Sequence, residues 1–196
     1  VLQDNFGINL RLVWINKIPK GVDRILDTKE IEEAFVYSAE EISKHDLLVS
    51  LDSGTKIHIV GKDFELPRSV AHLNIDHHSS NLGYGDINYV DDASVSTCRI
   101  LYEIFKEGSL KIPKKAKEVL IIGMYTDSGF FQFQKTNAKD FKAVSELLTE
   151  DINLYKMLWT LTFNEKYENM LEKAIIYGNL VADFQNKYAY SSITIN

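Results

Sequence analysis

Val70-Ala71-His72-Leu73-Asn74-Ile75-Asp76-His77-His78 is the stretch that decides how this chain folds. An apolar-rich run closed by polar residues reads as a strand buried in a sheet. This one stops on a carboxylate and two adjacent imidazoles, groups that need both space and solvation. Leu47-Leu48-Val49-Ser50-Leu51 has the same design and stops at Asp52-Ser53-Gly54. A third apolar stretch, Val119 to Met124, breaks at Tyr125-Thr126-Asp127-Ser128-Gly129. In open α/β sheets, ligands bind in the crevice outside the carboxyl ends of the strands. Asp52, Asp76-His77-His78 and Asp127 are therefore expected to converge from distant parts of the chain.

Outward from these runs, structure alternates. Ile8 to Ile15 reads as a strand and Lys29 to Tyr37 has the spacing of a short helix. After a loop with Asn81, Gly83 and Gly85, Asp86 to Val90 reads as a further strand and Ser94 to Lys106 as a helix. Pro113 opens a helix toward Gly123, and Asn137–Leu148, Leu154–Leu161 and Glu165–Phe184 are helical in pattern. Lys187 to Ile195 alternates like a strand. The expected class is α/β, with a doubly wound, mostly parallel sheet followed by a helical linker arm. The expected division is a core over 1–150, a helical linker over 151–186 and the start of another domain over 187–196. Val1 to Phe6 before Gly7 reads as the tail of a helix stopped at a glycine.

Composition narrows the function. A net charge of -6 and a pI of 5.4 argue against broad binding of a DNA duplex, which calls for a basic stripe. An anionic substrate must be held locally, and a bound cation is one way to do so. The single cysteine, Cys98, excludes an intramolecular disulfide and sits in the apolar helical run Val95–Phe105, where it reads as a packing residue. With no signal peptide and no stretch of about 20 apolar residues, a cytoplasmic protein without membrane contact is expected. His45, His58 and His72 read as structural, Trp14 and Trp159 as core, and Lys114, Lys115 and Lys117 as a solvated helix face.

Taken singly, each polar cluster has a plain reading: Asp52-Ser53-Gly54 as a turn, His77-His78 as loop residues, Asp127-Ser128-Gly129 as a helix N-cap. Taken together, aspartate oxygens and imidazole nitrogens suit manganese, and a pair of ions could clamp a phosphate and activate water. Ser96 and Thr97, at a helix start, could offer donors to a phosphate.

Asn74-Ile75-Asp76-His77-His78, the following Asn81 and Gly83, Ala93-Ser94-Val95-Ser96-Thr97 and Gly123-Met124-Tyr125-Thr126-Asp127-Ser128-Gly129-Phe130 together resemble the DHH phosphoesterase superfamily. The likeness covers nearly the whole chain and is nearest to the oligoribonucleases that also dephosphorylate 3'-phosphoadenosine 5'-phosphate. The resemblance implies a metal-dependent phosphoesterase of short single-stranded oligonucleotides or nucleotide phosphates, with two manganese ions, or magnesium in their place. It implies that Asp52 bridges the ions, His77 and Asp127 are further ligands, and Asp76 orients an imidazole. His78 would face the scissile phosphate, with Ser96, Thr97 and Asn81 on the substrate side; a homodimer is compatible with it. Complete family members also carry an earlier motif of closely spaced aspartates, which Asp4 and Asp23 do not match, and a later substrate-clamping domain. The chain is accordingly expected to lack both, to bind manganese weakly and to turn over little by itself. Two other readings stand beside this one: a pyrophosphatase or exopolyphosphatase of the same superfamily, and a non-catalytic nucleotide-binding module.

Overall fold

Near the start of the chain Leu2–Phe6 forms a helix, α1, closed by Gly7, and the apolar run Leu12–Ile15 forms a strand, β1. In the computed structural model, residues 1–15, 17–18, 31–34, 38–60, 66–162 and 167–192 are described. β1 is shorter than the Ile8–Ile15 strand expected. It pairs in parallel with β2 (Ile31–Ala34), Leu12 opposite Ile31. The helix expected over Lys29–Tyr37 is thereby corrected at Ile31–Ala34. Ladder bonds to β1 outweigh the helix preference of Glu and Ala, a tertiary override of a weak local signal. The rest of that segment lies outside the described residues.

Ser38 caps α2 (Ala39–Ile42) by accepting the Glu41 N–H. There follow β3 (Leu47–Leu51), α3 (Ile57–Val60), β4 (Ala71–Asp76) and β5 (Ile87–Val90). β3, β4 and β5 form a parallel sheet in that order, with Leu51 opposite Ile75 and Asp76 opposite Val90. All three strands therefore end on one edge, each followed by an aspartate: Asp52, Asp76 as the last residue of its strand, and Asp91. No helix connects β4 to β5. The loop 77–86 runs back along β4, so close that a Cβ on Gly85 would lie 2.9 Å from the His72 carbonyl and 3.0 Å from the Asn74 side chain. Only glycine fits there.

Helices α4 (Thr97–Glu107), α5 (Lys114–Asp127) and α6 (Ala138–Leu147) pack together, with α4 also against β4. Their shared core is Ile100, Ile121, Met124, Ala143 and Leu147. Fully burying each of the larger ones contributes about 1.5–3 kcal/mol. α5 runs past the expected break at Tyr125 and ends on Asp127. Asp127-Ser128-Gly129 is thus a helix C-terminus, with Ser128 as C-cap, rather than an N-cap. At Gly123 α5 lies directly on Cys98 of α4, and a Cβ there would overlap the thiol. Burial pushes the Cys98 thiol up to about 12, with the Asp52 and Asp127 charges adding to it, so it stays protonated and packs.

Arg99 is buried with its carboxylates around it: Asp91 at 3.0 Å, Glu103 at 2.5 Å and Asp140 at 3.2 Å. Asp140 Oδ1 and Arg99 Nε are misaligned for a hydrogen bond, so the third contact is an ion pair only. Asp140 also closes a capping box with Asn137 at the start of α6.

The chain divides into two compact units, Val1–Leu154 and Tyr155–Asn196. Beyond α7 (Leu154–Thr162), the second holds α8 (Tyr167–Gly178) and an antiparallel pair of β6 (Val181–Asp183) and β7 (Tyr188–Tyr190). The helix expected to reach Phe184 stops at Gly178, where the hairpin takes over the backbone bonds. Trp14, expected in the core, is 39% exposed on β1, and Trp159 stands against Tyr155 with ring centroids 5.5 Å apart. Among the described residues no helix is long and apolar enough to cross a membrane.

Candidate metal and phosphoester site

Asp52 follows β3 with φ at 58, a left-handed conformation rare for a residue other than glycine. Its N–H continues the sheet ladder to the Ile75 carbonyl at 3.1 Å, which fixes it beside the end of β4. The Thr97 hydroxyl, at the first turn of α4, donates to Asp52 Oδ1 at 2.8 Å. Ser96, one residue earlier, is the N-cap and accepts the Arg99 N–H at 3.2 Å. The hydroxyls expected to face a phosphate thus have protein partners: one caps a helix and the other holds a carboxylate.

His77 stands at the centre. Its Nδ1 lies 3.4 Å from the Ser94 carbonyl, which places the ring proton on that nitrogen. Nε2 then points between two carboxylates, 3.5 Å from Asp52 Oδ1 and 3.2 Å from Asp127 Oδ2. It is buried and makes no hydrogen bond among the described residues. Nothing in the sequence marks the Ser94 carbonyl for this role, because a backbone oxygen carries no residue signature.

His78 is turned differently. Its Nδ1 lies 2.7 Å from Asp76 Oδ1, and the other face of the ring is partly exposed. The hydrogen bond to Asp76 raises the basicity of His78 against the opposing effect of burial, and the Asp76, Asp52 and Asp127 charges add to the rise. Asp76 is fully buried. Burial alone would raise its carboxyl, but Asn81 Nδ2 at 2.7 Å, His78 and the His77 N–H at 2.8 Å hold it below the ordinary carboxylate range. Asn81, expected on the substrate side, is itself buried between Asp76, Asn74 and the Ser53 carbonyl.

Asp127 reaches the cluster from the end of α5. Burial pushes its carboxyl up, His77 opposes this, and Asp52 reinforces it. The turn beyond is strained, with Phe130 at φ 64 and Phe131 at φ 62, each costing on the order of 1–3 kcal/mol. Ser128 locks it by accepting the Phe131 N–H at 2.8 Å and donating to the Tyr125 carbonyl at 3.1 Å.

The structure thus brings Asp52, His77, His78 and Asp127 together, with Asp76 directly behind. Ligand atoms of Asp52, His77 and His78 all lie within 4.8 Å of one another. Two carboxylates converging on one imidazole nitrogen are held together by positive charge at that point. The donor set, carboxylate oxygens and imidazole nitrogen, fits a divalent cation.

No protein-family model matches the chain. It is 30% identical over 166 residues to the bifunctional oligoribonuclease and PAP phosphatase NrnA of Bacillus subtilis, a match covering 81% of this chain and 50% of that protein. It is 25% identical over 181 residues to the probable enzyme of that name in Streptococcus mutans, covering 90% of this chain and 57% of the relative. The chain therefore spans about half the length of these curated relatives. Among solved structures, an exopolyphosphatase-related protein from Bacteroides fragilis superposes with a TM-score of 0.76 at 18% identity, over 87% of this chain and 52% of that one. A putative family II inorganic pyrophosphatase from Methanococcus jannaschii does so at 0.60 and 14%, over 86% and 57%. At those identities the superpositions speak for the fold alone, a parallel α/β sheet with helices. With Asp76-His77-His78 at the carboxyl end of β4 and named relatives across most of its length, the chain is similar to the DHH phosphoesterases.

Proposed function

We propose that this chain carries the metal-binding face of a manganese-dependent phosphoesterase acting on short oligonucleotides or nucleotide phosphates. The observation that carries the reading is His77 Nε2, a buried nitrogen between Asp52 and Asp127 without a hydrogen-bonded partner among the described residues. Asp52, His77 and Asp127 would hold the metal, magnesium being the alternative ion. The chemistry such an ion supplies when bound is Lewis-acid polarisation of phosphoryl oxygens and activation of water.

The chain's own residues do the rest. Thr97 fixes one Asp52 oxygen, and the Ser94 carbonyl fixes the His77 tautomer, so ligand orientation is set before anything binds. Asp76 pins His78 through Nδ1 and leaves Nε2 of that ring to donate to a phosphate oxygen or to hand a proton to the leaving group. Asn81 keeps Asp76 ionised and in place. Ser96, Thr97 and Asn81 therefore serve a substrate by positioning the groups that meet it. The relatives named for oligoribonuclease and PAP phosphatase activity support this choice of substrate. A cytoplasmic setting belongs to the same reading.

The test is manganese-dependent hydrolysis of an RNA dinucleotide, with inorganic pyrophosphate as a parallel substrate. Cleavage of the dinucleotide that vanishes in Asp127→Ala and falls by about 10²–10⁴-fold in His78→Ala supports the proposal. Cleavage of pyrophosphate alone would move the chain to the pyrophosphatase reading, and binding of nucleotide without cleavage of either would make it a non-catalytic module.

A further inference from the structure

Asp52 offers its carboxylate to the cluster from a left-handed backbone conformation, φ 58, which a residue other than glycine keeps only where its surroundings hold it. On one side the sheet ladder holds it, through the Ile75 carbonyl, and the Thr97 hydroxyl fixes one carboxylate oxygen. On the other side the hold falls on the Ser53 carbonyl. That oxygen accepts two side-chain hydrogen bonds, one from the Tyr84 hydroxyl at 2.8 Å and one from Asn81 Nδ2 at 3.1 Å. Asn81 divides two protons among three oxygens, the others being Asp76 Oδ2 at 2.7 Å and Asn74 Oδ1 at 3.3 Å. Tyr84 has one proton to give, and Ser50 Oγ is farther from it, at 3.4 Å, so the Ser53 carbonyl receives it.

Tyr84 is itself carried in place. Its neighbour Gly85 is pressed onto β4 and gives its N–H to Asn88 Oδ1 at 2.9 Å. The Tyr84 and His72 ring centroids lie 5.5 Å apart, a contact that needs no hydroxyl. The turn that Tyr84 reaches also backs His78: a Cβ on Gly54 would lie 3.5 Å from His78 Cβ and 3.7 Å from its Cγ. The peptide whose carbonyl takes the Tyr84 proton thus joins the residue after Asp52 to the residue that lies against His78.

We propose that Tyr84 is a positioning residue of the metal site: its hydroxyl, through the Ser53 carbonyl, holds the Asp52-Ser53-Gly54 turn in the conformation in which Asp52 meets a divalent cation. This role rests on the metal-binding reading proposed above. A hydrogen bond directly behind a metal ligand is typically worth about 10–100-fold in metal affinity. Tyr84 acts through the backbone of the next residue and is expected at the lower end of that range.

The experiment is a manganese titration of the chelator-treated chain, followed by the electron paramagnetic resonance signal of the free ion, in the unsubstituted protein and in Tyr84→Phe. Phenylalanine keeps the ring beside His72 and removes only the hydroxyl. Tyr102→Phe is the reference, since it removes a tyrosine hydroxyl that is bonded to Glu146 and not to the Ser53 turn. The expected result is manganese affinity about tenfold weaker in Tyr84→Phe and unchanged in Tyr102→Phe. Equal affinity in Tyr84→Phe and the unsubstituted chain overturns the inference and leaves the metal-binding reading standing. Equal weakening in the two variants also overturns it, because the hydroxyl then matters only to general stability. Absence of manganese binding by the unsubstituted chain overturns the metal-binding reading and this inference with it.

Discussion

His77 and His72 sit on the same strand-and-loop segment, and each has a buried ring nitrogen with no hydrogen bond among the described residues. Their surroundings are opposite. His77 turns Nε2 toward Asp52 and Asp127, whereas His72 turns Nε2 toward the Ser50 hydroxyl and lines a cavity that carries Lys56 and Arg68. The same side chain thus stands among carboxylates at one place and joins a chain of hydroxyl and amide groups at the other. What decides is which ring nitrogen the neighbouring oxygen engages: the Ser94 carbonyl meets Nδ1 of His77, and the Ser50 hydroxyl, which donates to Asn74 Oδ1, meets Nε2 of His72. Between them runs a polar ladder, Ser50 to Asn74 to Asn81 to Asp76, largely paired with itself.

The sharpest break in this contrast comes from charge removal at the cluster. Manganese at about a hundredfold excess over its dissociation constant is expected to stabilise the chain by about 2.7 kcal/mol, and Asp127→Asn to abolish that gain while leaving the metal-free chain at least as stable as before. Thermal unfolding with and without manganese reads both; a metal-free variant that is less stable would show that the carboxylate is structural.

Next in size is Gly123→Ala. The added methyl overlaps Cys98, and overpacking of this kind typically costs about 1–3 kcal/mol. Denaturant unfolding should show recovery in Gly123→Ala combined with Cys98→Ala, since Asp127 and Thr97 are carried by the two helices that meet there. Asn81→Ala is expected to cost a similar or smaller amount, about 1–3 kcal/mol, by removing the donor to Asp76 Oδ2 and one of the two donors to the Ser53 carbonyl. Asn81→Asp, which offers Asp76 no donor, should be no better.

The smallest effect is the most diagnostic. Burial holds His72 below an ordinary imidazole, Asp86 opposing and Lys56 reinforcing. A free imidazole titrates near about 6.5. The neutral form is favoured on folding, so the stability linked to His72 is complete above that value and is lost as pH falls from it toward the lower folded value. His78 has the reverse sign: its pKa is raised, so its contribution is complete below about 6.5 and is lost as pH rises through the folded value. In metal-free protein, His72→Gln should flatten the loss of stability on the acid side and His78→Gln the loss on the basic side. Equal effects of the two on the same side would break the comparison.

Much of the site was legible in one dimension. The stop of each apolar run on an acid, at Asp52 and Asp76, follows from the need to keep charge out of a buried strand, and it located two of the three acidic clusters. The alternation His72, Asn74, Asp76 against Leu73 and Ile75 was also present. It puts three polar groups on one face of β4, a stripe that reading the run as simply apolar passes over. Ile31–Ala34 shows the opposite failure, since glutamates in a short helical pattern say nothing about a parallel partner nineteen positions away, Leu12 against Ile31.

By itself, then, the sequence determined the α/β class, β3 to its last residue, and the set Asp52, Asp76, His77, His78 and Asp127, because hydrophobic periodicity and its interruption are local properties. Only the tertiary structure decided which imidazole nitrogen is free, that Thr97 holds Asp52, that Asp127 closes a helix, and that His72 lines a cavity with Lys56 and Arg68. Proton placement and charge environment depend on atoms brought together by folding, from carbonyls and side chains that no spacing along the chain connects.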